Sequence, residues 1–248
     1  KQLKNKFKKY NIDGYIVPKN DEFFSEYAAV DRLKIISNFD GSAGIAVILK
    51  KNNYLFVDGR YTIQAHLQSG KLFKIIEIHK FLPHKILSNL SLGFDPNLHT
   101  KKQLLGYFGS SMILKQINNN LIDEIYKEKI QKTKKFFSLH NDVVGENYKS
   151  KINRIKNILK SNKADYLFVT APENVAWILN IRGSDNPNSP IPNCRLIIGK
   201  NKGVFLITQK ENTSRIIKER KLSKNQIVDP KKFQDLIKRL KGKNFIID

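Results

Sequence analysis

Short apolar runs alternate with amphipathic stretches along the first half of the chain. The spacing of Leu3, Phe7 and Tyr10 predicts a helix at the start. Helical patterns recur between the later apolar runs, and one of them, TKKQLLGYFGS, is predicted to be capped by its Thr. Apolar runs bounded by Gly, Pro, Asn or Asp predict strands, and in chain order these are 13–17, 44–49, 54–57, 73–78, 92–95 and 111–117. Strands that alternate with helices are typical of an α/β domain.

The same order of patterns starts again near residue 146, where ENYKSKINRIKNILKSNKA predicts an amphipathic helix with Ile152, Ile155, Ile158 and Leu159 on one side. DGYIV (13–17) corresponds to ADYLF (164–168), and RLKIISNFDGS (32–42) corresponds to NVAWILNIRGS (174–184). The runs 44–49 and 54–57 predict a hairpin, AVILKKNNYLFV, which corresponds to LIIGKNKGVFLI once the extra residues DNPNSPIPN of the second copy are set aside. A repeat on this scale predicts two similar α/β domains. We place their boundary near residue 140, which gives domains 1–140 and 141–248.

The repeated segment contains a serine next to a glycine, in NFDGSAG (38–44) and again in NIRGS (180–184). Ser42 could be a nucleophile, part of a phosphate-binding loop or a turn residue. Neither copy fits the nucleophile elbow G-x-S-x-G, because Asp40 and Arg182 stand where its first Gly belongs, and neither fits a P-loop. Each of the two similar sheets needs a turn at this place, so we interpret both segments as structural turns.

The net charge of +23, from 45 Lys and Arg against 22 Asp and Glu, favours anionic partners. The basic residues are mostly Lys and are spread along the whole chain, which favours a solvated surface over a site for nucleic acid. We therefore do not expect nucleic acid as a partner. The densest run, KEKIQKTKK (127–135), is predicted to be the solvated face of a helix.

The single cysteine, Cys194, allows neither an internal disulfide nor a Cys pair for zinc. This indicates a reducing environment, and we expect a cytoplasmic protein. No apolar stretch approaches the roughly 18 residues that a bilayer-spanning helix needs, so no membrane contact is expected.

Candidate chemistry is sparse, since the chain has no HExxH motif and no Cys or His pair at metal-binding spacing. Asp58 in VDGRY follows a predicted strand, where catalytic carboxylates often lie, but capping of the next helix explains it equally well. The extra loop RGSDNPNSPIPNC (182–194) carries three prolines and opposite charges at Arg182 and Asp185. Ligand binding and packing against another domain are equal alternatives for this loop.

Several segments resemble aminopeptidase P, the Xaa-Pro aminopeptidase, in its three-domain form. They are DGYIVPKNDEFFSEY, RLKIISNFDGSAG, LFVDGRYTIQA, LGFDPNLHT, NNNLIDEIY and ENVAWILNIRGSDNPNSPIPNC. The resemblance implies two similar creatinase N-terminal-like domains with a ribonuclease-H-like motif, each a mixed β-sheet flanked by helices. It also implies a catalytic domain after Asp248, and because the chain stops on the apolar run NFIID, we expect a fragment.

The resemblance implies hydrolysis of the bond between an N-terminal residue and a following proline. The family uses two divalent metal ions, usually manganese and sometimes zinc, held by Asp, Asp, His, Glu and Glu of the catalytic domain. No catalytic residue, metal ligand or cofactor is therefore expected within this chain. The full-length protein is expected to be a homodimer that binds peptides with proline at the second position.

In this family the first two domains shape access to the substrate and contribute to oligomer contacts. Four residues are accordingly candidates for substrate access or interdomain contact: Asp58, Arg60, Arg182 and Asp185. A second hypothesis stays open, since some proteins keep this architecture without catalysis. The basic charge would suit such a non-catalytic module, with a protein or nucleic acid as its partner, and a steep salt dependence of binding would favour it.

Overall fold

The computed structural model describes residues 1–25, 28–126, 135–186, 188–201, 203–219 and 221–248. The chain divides into two compact units, Lys1–Ile130 and Gln131–Asp248, and each is described by itself. The domain boundary at residue 140 stays a prediction. The basic run expected to form a solvated helix face lies, apart from Lys135, outside the described residues. Within the described ranges, no helix is long and apolar enough to cross a membrane.

The first unit is built on a six-stranded sheet, counted over its described residues. Its strands are β1 (Gly14–Pro18), β2 (Gly44–Leu49), β3 (Asn53–Val57), β4 (Lys74–Glu77), β5 (Ser91–Phe94) and β6 (Ile113–Gln116). They lie in the order β4-β3-β2-β1-β5-β6. β2 is antiparallel to β1 and to β3, and the other neighbouring pairs are parallel. The predicted hairpin is therefore confirmed, with β3 starting one residue earlier than expected.

Seven helices accompany this sheet in the described part of the first unit. They are α1 (Gln2–Asn5), α2 (Phe7–Tyr10), α3 (Arg32–Ser37), α4 (Thr62–Ser69), α5 (Pro83–Ile86), α6 (Lys101–Phe108) and α7 (Leu121–Ile125). The predicted Thr cap of α6 is confirmed, because Thr100 and Gln103 form a reciprocal capping box. The short helix α7 was not predicted, and Asn120 caps its first turn.

Side chains of the first sheet are buried on both of its faces. Successive residues of a strand point to opposite faces, and in β1 the side chains of Tyr15 and Val17 join one apolar cluster while Ile16 joins the other. Phe7 and Phe39 also belong to the first cluster. Helices therefore cover both faces, and the edge at the strand ends is left for loops.

The second unit contains a five-stranded sheet and a separate two-stranded ladder among its described residues. The ladder pairs β7 (Phe137–Ser138) with β9 (Ile181–Arg182). The strands of the larger sheet are β8 (Tyr166–Val169), β10 (Arg195–Gly199), β11 (Val204–Ile207), β12 (Ile227–Val228) and β13 (Phe245–Ile247). They lie in the order β12-β11-β10-β8-β13.

The helices of the second unit include the long amphipathic helix that the sequence predicts. The set is α8 (Asn141–Val144), α9 (Tyr148–Ser161), α10 (Pro172–Leu179), α11 (Ser214–Lys218) and α12 (Phe233–Arg239). In α9, Ile152 and Leu159 are buried as expected, but Ile158 is 51% exposed. The expectation for Ile158 was wrong, because Lys151 takes an inward position on this helix instead.

The strand orders of the two units confirm the predicted repeat. β4, β3, β2, β1 and β5 of the first sheet correspond in position to β12, β11, β10, β8 and β13 of the second. The pair directions also agree, with an antiparallel hairpin in the middle and parallel strands on both sides. The chain is therefore two similar α/β domains, each a mixed sheet flanked by helices.

Candidate functional site

The NFDGSAG segment is a tightly packed turn between α3 and β2. Asn38 ends α3 with a φ of 65°, the left-handed conformation that Asn tolerates. A Cβ on Gly41 would lie 2.3 Å from Cζ of Phe39 and 2.9 Å from Cδ1 of Tyr61. The Ser42 and Tyr61 hydroxyls are 2.8 Å apart and bond to each other. These contacts support the structural interpretation over a nucleophile.

The second copy repeats the same two backbone features. Asn180 ends α10 with a φ of 52°, and a Cβ on Gly183 would lie 2.7 Å from Cα of Pro192. Glycine is required in both copies for close approach, since neither Gly41 nor Gly183 has a positive φ. The shared requirement explains why N-x-x-G-S recurs.

Gly41→Ala is expected to destabilise the first unit by about 2 kcal/mol, because the added methyl group has to displace a buried aromatic ring. Thermal unfolding followed by far-UV circular dichroism measures this change. Gly106→Ala is the matched control, since a Cβ at that helical position meets nothing within 4 Å and alanine favours a helix. Equal unfolding temperatures for the two variants would contradict the packing role of Gly41.

Asp58 follows β3 and begins a short 3-10 turn over Gly59–Tyr61. Its Oδ1 accepts hydrogen bonds from Nε of Arg60 at 2.9 Å and from the backbone N–H of Arg60 at 3.0 Å. The bonds from the side chain and then the backbone of Arg60 lower the pKa of Asp58 to about 2. Nε2 of His79 lies 3.5 Å from Oδ2. Asp58 therefore caps the turn, and its carboxylate stays ionised at neutral pH.

A cavity of about 360 Å³ opens at the carboxyl edge of the first sheet. Its wall includes Pro18 at the end of β1, Gly44 at the start of β2, Asp58 after β3 and His79 after β4. His99, which follows β5 and a 3-10 turn, also lines it. Ligands of open α/β sheets bind outside the carboxyl ends of the strands, so this cavity is the candidate binding site of the first unit.

His99 is the titratable group of this cavity that sequence analysis missed. Its Nε2 is buried and has no hydrogen-bond partner among the described residues. Its ring packs edge-on against Phe94, with centroids 5.9 Å apart. Burial lowers the pKa of His99 to about 4, against the opposing charge of Asp95. The imidazole is therefore neutral at pH 7.

The pKa of His99 predicts a loss of stability in mild acid. The unfolded chain takes up the proton near pH 6.5 and the folded chain only near pH 4, so stability present above 6.5 falls as the pH drops through this window. The loss is about 3 kcal/mol when pH 4 is reached. Urea unfolding at several pH values should show a smaller acid loss in His99→Phe than in wild type. Identical pH profiles would contradict this assignment.

Arg182 and Asp185 lie in the extra loop of the second unit, and both bind backbone groups there. Nη1 of Arg182 donates to the carbonyl oxygens of Ile181 at 2.8 Å and Ala176 at 3.3 Å. Oδ2 of Asp185 accepts from the backbone N–H of Asn193 at 2.8 Å. Arg182 thus binds the helix and the strand that precede the loop, and Asp185 joins the two sides of the loop. Asp58 and Arg60 thus form one local pair in the first unit, and Arg182 and Asp185 fix a loop in the second.

Two lysines that sequence analysis missed hold the start of this loop. Lys151 is 2% exposed, and its Nζ donates to Oδ1 of Asn180 and to the carbonyl oxygen of Trp177, both at 2.7 Å. Nζ of Lys221 donates to the carbonyl oxygens of Leu179 at 3.0 Å and Asn180 at 2.9 Å. Cations suit the carbonyl end of a helix, and here they bind the end of α10.

Burial lowers the pKa of both Lys151 and Lys221. For Lys151 the sequence did contain a signal. It stands next to Ile152 on the apolar stripe of α9, where a buried polar side chain needs a hydrogen-bond partner.

No three His, Cys, Asp or Glu side chains come together to hold a metal ion in the described ranges. The candidate site thus consists of a cavity in the first unit and, in the second, a loop in which a hydrogen bond joins the described residues Asp185 and Asn193.

Family models identify both halves of the chain. Residues 1–110 and residues 127–248 each match a model described as the creatinase/prolidase N-terminal domain. The two matches together leave only 111–126 uncovered.

Curated relatives with similar sequences are Xaa-Pro aminopeptidases. The chain is 32% identical over 232 residues to Xaa-Pro aminopeptidase ApepP of Drosophila melanogaster, a match that covers 83% of this chain and 38% of that protein. It is 31% identical over 217 residues to Xaa-Pro aminopeptidase 1 of Dictyostelium discoideum, a match that covers 77% of this chain and 34% of that protein. The chain thus spans about a third of the length of these relatives.

A solved structure shares the fold. X-prolyl aminopeptidase from Caenorhabditis elegans, described as a cytosolic enzyme with a di-nuclear active site, matches with a TM-score of 0.82 and 23% identity. The match covers 99% of this chain and 45% of that one. Together with the two model matches, this shows that the chain belongs to the creatinase/prolidase N-terminal domain family, as two consecutive domains of the aminopeptidase P type.

Proposed function

We propose that this chain is the non-catalytic N-terminal part of a metal-dependent Xaa-Pro aminopeptidase. The observation that carries the proposal is the pair of consecutive family-model matches, together with the identity of 31–32% to Xaa-Pro aminopeptidases over more than 200 residues. The full-length protein would remove the N-terminal residue that precedes proline. We also propose that it is cytoplasmic and homodimeric.

The proposed reaction sets a specific chemical problem. The amide nitrogen of proline carries no hydrogen and the proline ring restricts the backbone, so the Xaa-Pro bond does not fit a cleft made for ordinary peptides. Two divalent metal ions, manganese by family resemblance, would supply hydroxide and hold the carbonyl oxygen. The described residues of this chain do not fit such a metal pair, so this chain would take no chemical step itself.

The proposed role of this chain is to shape access to a catalytic domain elsewhere in the protein. The loop from Arg182 to Cys194 suits an interdomain contact because hydrogen bonds join described residues on its two sides. Asp185 binds Asn193, and the N–H of Gly183 donates to the carbonyl oxygen of Pro190 at 3.1 Å. A preordered loop loses little entropy when a neighbouring domain packs on it. Arg60, with a side chain 73% exposed, is the candidate contact of the first unit.

The purified chain alone is expected to show no hydrolysis of Xaa-Pro peptides and no tight binding of manganese. The measurement is product release from a peptide with proline at position two, with and without manganese, alongside calorimetric titration of the metal. Hydrolysis that a chelator abolishes would overturn the proposal, because it would place the metal site in these domains.

The charge of +23 supports one alternative, a partner-binding module of peptidase-like fold. Under this alternative the chain would bind an acidic protein or nucleic acid saturably, with an affinity that falls steeply with salt. Titration of a labelled DNA duplex at several salt concentrations distinguishes this alternative from the peptidase proposal. Weak, non-saturating binding would show that the positive charge only solvates the surface and does not form a binding site.

A further inference from the structure

The two most exposed large apolar side chains of the described residues lie one turn apart on α4. Ile63 is 77% exposed and Leu67 is 83% exposed, and residues at i and i+4 are neighbours on the surface of a helix. The opposite side of α4 buries Ala65 and Ser69. The helix thus holds one side in the core and presents an apolar surface to solvent, the outer face of α4, formed by Ile63 and Leu67.

The outer face of α4 carries no charge, although the net charge of the chain is +23. None of the eight residues of the helix, TIQAHLQS, is Asp, Glu, Lys or Arg. On its flank, Nε2 of Gln64 and Nε2 of Gln68 both donate to Oδ1 of Asp40 at 2.7 Å. Nζ of Lys34 lies 3.6 Å from Oδ2 of the same carboxylate, so these two charges offset each other.

An uncharged apolar surface on so basic a chain favours a second copy over an acidic partner. An acidic partner is attracted to lysines, and none of the lysines lies on α4. Two copies of the chain repel each other through their net charge of +23 each, so they are expected to meet where the facing surfaces are uncharged. The outer face of α4 meets this condition, and burial of its apolar side chains favours the contact.

The spacing of the two side chains makes the outer face of α4 self-complementary. In a two-fold contact, residue i of one copy meets residue j of the other, and j meets i. When two α4 helices pack antiparallel, Ile63 of one copy faces Leu67 of the other, and Leu67 faces Ile63. A contact centred on one short helix falls below the roughly 1,200 Å² of standard interfaces, so the association is expected to be weak and reversible.

We propose that the outer face of α4 is a self-association surface, through which two copies of this chain pair antiparallel with Ile63 of each copy against Leu67 of the other. The contact adds to the proposed homodimer a surface that lies in the first unit. It needs only the 248-residue chain and no catalytic step, so its failure would leave the proposed peptidase role untouched.

Sedimentation equilibrium of the 248-residue chain at several protein concentrations measures the association. We expect a reversible dimer that tightens when NaCl is raised from about 0.1 M to about 1 M, because the Debye length falls from about 10 Å to about 3 Å and repulsion between the copies is screened. Ile63→Glu and Leu67→Lys should each raise the dissociation constant by about tenfold or more, since each brings unpaired charges into the apolar contact.

Leu105→Lys is the matched control for Leu67→Lys. It makes the same change of charge on another helix, α6, at a leucine that is 51% exposed. It should leave the dissociation constant unchanged. A loss of association as large as that of Leu67→Lys would overturn the proposal, because added charge at any surface position would then suffice.

An equimolar mixture of Ile63→Glu and Leu67→Lys tests both the second copy and the antiparallel arrangement. In the mixed dimer the introduced carboxylate faces the introduced ammonium, and the other contact keeps its native pair. The mixture should therefore dimerise more tightly than either variant alone. A wild-type chain that stays monomeric, or a mixture that associates no better than its components, would overturn the proposal. Protection of 62–69 from hydrogen exchange only in the full-length protein would overturn it in favour of another domain as the occupant.

Discussion

Lys151→Met is expected to destabilise the second unit by about 4 kcal/mol. Methionine fills the same space, but it leaves Oδ1 of Asn180 and the carbonyl oxygen of Trp177 buried without the donor that Lys151 gives them at 2.7 Å. It also removes the cation that lies 4.0 Å from the centroid of the indole ring. Urea unfolding followed by the fluorescence of Trp177, the single tryptophan, measures the change in the second unit.

Lys149→Met on the same helix is the matched control, because Lys149 is exposed, and it should change stability by about 0.5 kcal/mol or less. Asn180→Gly supplies a second test, since glycine keeps the left-handed turn but lacks the acceptor. In the Asn180→Gly background, Lys151→Met should lower the free energy of unfolding by clearly less than it does in the wild type. If the Lys151 and Lys149 variants unfold at the same urea concentration, the buried ammonium does not hold α10.

Arg32→Met is expected to destabilise the first unit by about 2–3 kcal/mol, because only the guanidinium is buried and the carboxylates of Asp123 and Glu22 are 45% and 40% exposed. The guanidinium of Arg32, 6% exposed, binds both carboxylate oxygens of Asp123 and Oε1 of Glu22, each at 2.8 Å. These bonds link α3 to α7 and to the segment after β1. Without the guanidinium, the carboxylates of Asp123 and Glu22 lose their shared counter-charge. Hydrogen exchange in 121–125 should accelerate together with the fall in unfolding temperature.

Lys50→Met is the control for this prediction, because Lys50 also pairs with one carboxylate, Asp13 at 3.0 Å, but with side chains 62% and 41% exposed. A surface pair contributes about 1 kcal/mol or less. The two variants therefore compare the same loss of charge at different depth. Equal effects would show that burial of Arg32 adds nothing.

The hairpins could be predicted from the sequence because their signals are local. The runs at 44–49 and 54–57 are apolar, close together and separated by turn residues, and β2 and β3 follow them. The β7–β9 ladder could not, because it pairs Phe137–Ser138 with Ile181–Arg182, two short segments far apart in the chain. Neither has a pattern of its own, and only the tertiary fold brings them together.

Periodicity identified α9 but assigned one side chain to the wrong surface. Ile152, Ile155, Ile158 and Leu159 all fit one broad apolar stripe. The actual stripe is shifted toward Lys151, which is buried because carbonyl groups of another helix receive its ammonium. Those acceptors come from residues near 180, so the local pattern of α9 contains no sign of them.

The candidate site was predictable only in part. The cap formed by Asp58 was one of two interpretations of VDGRY, since its signal is a polar residue at the start of a turn. The cavity depends on strand order, which places His99 near the ends of β1 and β3 although it is distant in sequence. A scattered histidine shows neither its burial nor the absence of a partner until the fold is known.

The central claim is that this chain is the non-catalytic front part of a Xaa-Pro aminopeptidase. The most direct measurement is the sequence of the transcript beyond the codon for Asp248. The account predicts that the reading frame continues into a catalytic domain with Asp, Asp, His, Glu and Glu as metal ligands in that order. A stop codon or an unrelated sequence at that point would contradict it and favour the partner-binding module.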